Sequence, residues 1–159
     1  MSKILKLLEK DARLSYADMA VMLGMSEKDV AAEVARLERE GVIVGYRAVI
    51  DWDKTNAESV TALIDVKITP QRDRGFDRVA ERIYQFDEVE SLYLMSGGYD
   101  LSVLITGRTL KEVALFVSQK LSALESVSGT ATHFILKRYK DGGMIYERHD
   151  DEQEGIQLV

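Results

Sequence analysis

The chain has 159 residues, 46% of them hydrophobic, with 21 Lys and Arg against 27 Asp and Glu for a formal net charge of −6. It is long enough for one ordinary domain or two small ones, too apolar for a disordered chain, and too acidic overall for a nucleic-acid coat. With no Cys and only 2 His, His133 and His149, it excludes a disulfide scaffold, Cys-ligated zinc or iron–sulfur centres and thiol catalysis, so no metal or other cofactor is expected.

Met1-Ser2-Lys3 leads directly into an amphipathic pattern instead of a signal-peptide core, and no apolar run approaches the roughly 20 residues of a membrane span. A soluble cytoplasmic protein without a membrane partner is the expectation. Ile4, Leu5, Leu7 and Leu8 fall at helical spacing among Lys and Glu, giving a first helix that ends near Asp11. Ser15, with Asp18 three residues on, opens a second, whose apolar face is Tyr16, Met19, Ala20 and Leu23; Gly24 stops it. Ser26 and Asp29 repeat the cap two residues later, and a third helix turns Val30, Val34 and Leu37 inward before Gly41. Two capped helices so closely spaced describe a helix-turn-helix, for which the plain alternative is a generic three-helix bundle.

A helix-turn-helix reads DNA with the N-terminal part of its second helix. The outward residues there are Ser26, Glu27, Lys28, Ala31, Ala32 and Ala35, with Arg36 and Arg39 further along. Backbone amides at Ser15–Ala17 and Ser26–Lys28 are further phosphate donors. Ser15, Tyr16, Ser26, Lys28, Ala31, Ala32 and Arg36 are therefore the candidate contacts to double-stranded DNA. From Glu27 to Glu40 there are five acids and three bases. Phosphate neutralisation supplies much of such modules' affinity, so weak binding per module, reinforced by having several modules on one duplex, is expected.

Charge divides unevenly. Residues 1–50 hold 8 bases and 8 acids, so the remainder, with 13 bases (21 − 8) and 19 acids (27 − 8), carries the whole −6. Val42 to Ile50 is rich in β-branched and aromatic residues, which predicts a strand, one able to pair with its copy in a second chain. Asp51 to Asn56 breaks it. The expected organisation is a helix-turn-helix domain with its β connector over 1–50, a linker over 51–57, a second domain over 58–140 and an acidic tail over 141–159.

In the second domain, Val60, Ala62, Ile64, Val66 and Ile68 alternate as in a strand, and Thr69-Pro70 starts a turn. Phe76, Val79, Ala80 and Ile83 mark a helix. Strands over Val89–Met95 and Tyr99–Thr106 flank the turn Ser96-Gly97-Gly98. Thr109 and Glu112 form a capping box, opening a helix with Leu110, Val113, Ala114, Val117, Leu121 and Leu124 on one face. Thr130–Tyr139 closes the series as a strand. The order βαββαβ is the ferredoxin-like unit, so the fold class is α+β: an N-terminal three-helix, winged-type helix-turn-helix plus a C-terminal ferredoxin-like domain. Both helices cover one sheet face. The other, to which residues such as Leu92, Leu94, Ile135 and Tyr139 are candidates, is left open, which predicts a two-fold homodimer stacked sheet to sheet.

Ile4–Leu8, Ala12–Ala20, Gly24-Met25-Ser26, Arg36–Ile43, Gly45-Tyr46, Gly98–Leu101 and Thr130–Thr132, in that order over nearly the whole chain, resemble the Lrp/AsnC (feast/famine) transcription regulators. The resemblance implies a DNA-binding regulator whose second domain, the RAM domain, dimerises, often assembles into octamers, and binds a small effector, commonly an amino acid, between dimers. It also implies bases in the recognition helix where this chain has Glu33, Ala31 and Ala32.

Gly97, Gly98, Tyr99 and Asp100 are the best effector candidates. The glycines expose N–H groups to a carboxylate, Asp100 suits an α-ammonium and Tyr99 walls the pocket; an ordinary hairpin turn is the alternative. Thr130 and Thr132 lie on the strand that the resemblance places at the effector, or are there for β-propensity alone. Arg74, Arg78 and Arg82 share one helical face that Asp73, Asp77 and Glu81 counter. No phosphate loop, nucleophile elbow or paired metal ligands appear, so no enzyme is expected. Two other readings are an effector sensor without DNA binding and a sirohaem decarboxylase-like enzyme, for which His133 alone is placed.

Overall fold

A computed structural model describes residues 3–69 and 75–146. The chain divides into two compact units, Met1–Ile50 and Asp51–Val159. Pro70, Arg72, Asp73, Arg74 and His149 lie outside the described residues, as does the tail from 147 onward.

In the first unit, helices α1 (Lys3–Lys10), α2 (Tyr16–Leu23) and α3 (Glu27–Arg39) enclose a core of Ile4, Met19, Ala20, Val30, Val34 and Leu37. The periodicity places each of these inward. Met19 and Val30 are wholly removed from solvent, which is where α2 and α3 meet.

The predicted strand over Val42–Ile50 is absent: residues 44–50 have no regular structure, and Val44 is 95% exposed. A strand needs a neighbour to take its backbone hydrogen bonds, and residues 44–50 have none among the described residues. β-propensity alone does not make a strand.

The second unit is a four-stranded antiparallel sheet in the order β2-β3-β1-β4, built from β1 (Val60–Ile68), β2 (Val89–Leu94), β3 (Leu101–Gly107) and β4 (Val127–Phe134). Helices α4 (Gly75–Ile83) and α5 (Leu110–Phe116) supply the rest of the βαββαβ order. The core joins Ala62, Ile64, Val66 and Ile68 of β1 and Leu101, Val103 and Ile105 of β3 to Val79, Ile83, Val113, Phe116 and Leu121.

Several boundaries move. Leu110 and Ala114, expected on the inward face of α5, are exposed, while Val113 and Phe116 point inward; at Val117 the helix passes into a π turn, Val117–Leu121. The extra residue of that turn brings Leu121 inward. Glu112 reaches past Thr109, the residue expected to close the capping box, to accept the N–H of Arg108 at 2.8 Å. The fourth strand ends at Phe134, not Tyr139. Beyond it β5 (Lys140–Asp141) and β6 (Met144–Ile145) form a hairpin across Gly142 and Gly143, at φ 52° and 82°. The turn signal Asp141-Gly142-Gly143 announces it.

Pairing register separates the faces, since directly opposed residues share one. Leu92 pairs Val103 and packs against the core, and Leu94 pairs Leu101, so both belong to the helix side. The open face carries Leu63, Asp65 and Lys67 of β1, Ser102 and Leu104 of β3, Tyr93 of β2, and Ala131 and His133 of β4.

Candidate nucleic-acid interface and effector turn

Helices α2 and α3 begin alike. Ser15 Oγ accepts the N–H of Asp18 at 3.0 Å and donates to its carboxylate at 2.6 Å. Ser26 does the same with Asp29, at 3.1 and 2.6 Å. Each hydroxyl thus uses its lone pair on the helix and its proton on an acid in the first turn, where the helix dipole favours negative charge. Between the helices, Gly24 sits at φ 65° and its N–H and that of Met25 return to the Val21 and Ala20 carbonyls, at 3.4 and 3.0 Å. This Schellman closure needs a residue that tolerates the left-handed region, hence glycine.

Ser15, Tyr16, Ser26, Lys28 and Ala32 are exposed and Ala31 is partly so. The two helix starts and one side of α3 are therefore each accessible.

Arg36 differs. Its Nε and Nη2 donate to the two carboxylate oxygens of Glu33 at 2.9 and 2.7 Å, and its Nη1 donates to Glu40. The paired charges raise the pKa of Arg36 further and lower that of Glu33, chiefly through the shared hydrogen bonds. The i, i+3 and i, i+4 spacings of these residues signal the clamp in the sequence. Arg39, by contrast, is exposed and has no hydrogen-bond or ion-pair partner among the described residues. Tyr46 donates to Glu38 at 3.0 Å, tying the connector to α3.

The effector candidates are only partly gathered. Residues Gly97, Gly98 and Tyr99 lie exposed in the six-residue connection between β2 and β3. Neither glycine has positive φ, so the turn does not require glycine, and β3 begins at Leu101 instead of Tyr99.

The reason lies in Asp100. Its carboxylate accepts the backbone N–H of Ile68 at 2.8 Å and faces Lys67 Nζ at 3.3 Å, while its own N–H donates to the Val66 carbonyl at 3.0 Å. The Ile68 hydrogen bond, then Lys67, holds its pKa below the usual carboxylate range. Asp100 therefore pins the turn to β1, a role invisible in the sequence because its partners are over 30 residues away.

Thr130 and Thr132 pair with Val66 and Ile64, placing them on the helix-covered face. Thr130 is two strand spacings, roughly 10 Å, across the sheet from Leu101. A cleft of about 420 Å³ between α4 and β2 is lined by Phe76, Tyr84, Leu92 and Leu94 among others, and by none of these candidates. His133 faces Asp65 at 3.2 Å on the open side. Among the described residues no group of His, Asp or Glu is arranged to hold a metal ion, and no helix is long and apolar enough to cross a membrane.

A family model for the Lrp/AsnC ligand binding domain matches residues 61–145, and one for the AsnC-type helix-turn-helix domain matches residues 2–38. An HTH-type transcriptional regulator of Bacillus subtilis, YugG, is 52% identical over 153 residues, covering 96% of this chain and 92% of its own. The HTH-type regulator LrpA of Pyrococcus abyssi is 33% identical over 137 residues, covering 86% and 94%. A feast or famine regulatory protein of M. tuberculosis complexed with L-methionine shares the fold at TM-score 0.72 and 23% identity, over 87% of this chain and 90% of that one. The chain, with its DNA-binding helix-turn-helix and its ligand-binding domain, belongs to the Lrp/AsnC family of transcriptional regulators.

Proposed function

We propose that this regulator acts as a homodimer, or an assembly of dimers, that lays α3 of each module in the major groove and adjusts its grip on DNA when an amino acid binds the second domain. The observation that carries the DNA reading is the pair of serine-capped helices joined through left-handed Gly24. Ser15, Tyr16 and Ser26 approach phosphates through the helix starts, Lys28 adds charge, and Ala31 and Ala32 offer methyl groups to thymine. The dimer forms by two-fold stacking of the open sheet faces, a reading supported by Leu63 and Leu104, which are partly exposed there, and Tyr93, which is exposed.

The effector reading rests on the exposed Gly97-Gly98-Tyr99 turn, anchored by Asp100, with Thr130 and Thr132 on the same sheet. Relatives of the same fold hold L-methionine, which makes an amino acid the class to try.

A gel shift with the gene's own upstream region at low salt tests the regulator: a specific shift, weakened by Lys28→Ala, is expected, and no shift at any salt concentration overturns it. Calorimetric titration with the twenty amino acids tests the effector, and twenty flat titrations remove that class. A sensor without DNA binding is the second reading, favoured by the net acidity of α3 and the carboxylates on Arg36. It predicts no shift together with an amino-acid titration that saturates.

A further inference from the structure

Resting on the reading of α3 as the helix that enters DNA, we infer that Lys28 and Arg39 are its phosphate-gripping side chains, and that Glu33 and Glu40 withhold Arg36 from that role. Val30, Val34 and Leu37 are buried and fix the inward face of α3. At 3.6 residues per turn the ridge diametrically opposite is Lys28, Ala32, Ala35 and Arg39. Arg36 lies on the flank, beside Glu33 and Glu40. The outermost ridge thus has a cation at each end and only methyl groups between.

Lys28 and Arg39 are eleven residues apart, roughly 16 Å along the helix axis. The major groove is about 12 Å wide, so long side chains at the two ends of a helix lying across it reach phosphates on opposite walls. Both residues are exposed and neither has a carboxylate partner among the described residues.

Arg36 is charged but not available. Three of its five N–H donors are taken by two carboxylates, and the triad as a unit carries a charge of −1. A phosphate approaching it meets net repulsion and would have to displace a bidentate partner. The clamp therefore lowers sequence-independent affinity, leaving the ridge to set the number of phosphates neutralised.

The test is a fluorescence-anisotropy titration of the full chain against a labelled random-sequence 40-bp duplex over a range of KCl concentrations. The slope of log K against log[salt] reports phosphates neutralised. Lys28→Gln and Arg39→Gln should each flatten the slope by about 1 per bound module. Arg36→Gln should leave it unchanged. The double variant Glu33→Gln with Glu40→Gln, which frees Arg36, should steepen it by about 1 per module.

Glutamine keeps the helix-forming stem, and helical content by circular dichroism is matched to wild type before each titration. Flattening by Arg36→Gln equal to that by Arg39→Gln, or an unchanged slope in Arg39→Gln, overturns the assignment while leaving the DNA reading intact. Failure of the wild-type protein to bind at any salt overturns both.

Discussion

Ser15 and Ser26 are small residues with two hydrogen bonds each, and α2 and α3 depend on them for their first turns. Ser26→Ala should lower stability by about 1 kcal/mol, the usual loss for a serine cap, measured by urea denaturation. Gly24→Ala should lower it by about 1–2 kcal/mol, because alanine strains at φ 65°. Both positions are legible in the sequence, since a cap and a helix stop are local. Asp100 is not, because its bonds run to Ile68 and Lys67 on β1. Its depressed pKa gives a pH signature. The stability it contributes is fully present above the unfolded carboxyl pKa of about 4 and is lost as pH falls through the lower folded value. Thermal melts should therefore show the advantage of wild type over Asp100→Asn shrinking below about pH 4. An advantage unchanged at lower pH would contradict the bond.

At the scale of elements, period decides what can be foreseen. β1 alternates strictly and buries Ala62, Ile64, Val66 and Ile68 on one side. Val42–Ile50 has similar composition yet no ladder partner among the described residues, and is irregular. The end of α5 is a third case. The π turn over Val117–Leu121 holds Lys120 at 5.2 and 5.6 Å from the rings of Phe86 and Phe116, with Glu88 as its ion partner. The two rings meet edge to face at 5.6 Å. Lys120 is partly exposed, so Lys120→Ala should cost only about 1 kcal/mol, most of it cation–π attraction, readable in the same urea titration. Phe86 lies 34 residues before Lys120, so helical spacing alone does not announce this contact.

For the molecule as a whole, what matters is which sheet face is covered. Ile64 is wholly buried at the centre of the helix-covered side, and Ile64→Ala should cost about 2–5 kcal/mol in denaturant melts. Leu104, one strand over and on the other face, lies at the centre of the proposed dimer contact. Leu104→Lys should leave the monomer fold intact by circular dichroism but halve the molar mass seen by light scattering, and a wild-type chain already monomeric at micromolar concentration would contradict the contact. The overall charge of −6 acquires a narrower meaning here. The helix-turn-helix unit is balanced, and the local acidity that bears on DNA is the pair Glu33 and Glu40 around Arg36.

Local pattern alone settles the βαββαβ order of the second unit, the two serine caps, the glycine stop and the inward residues of α3 and of β1. All are set by neighbours within a few positions, through hydrogen-bond spacing and the 3.6 and 2.0 periodicities. Tertiary structure decided what depends on partners far along the chain. It placed Leu92 and Leu94 on the helix side through their register with Val103 and Leu101, and committed Asp100 to Ile68. It left the connector without a strand, because β-pairing and sheet register are settled by which backbone lies alongside, not by the propensity of the residues themselves.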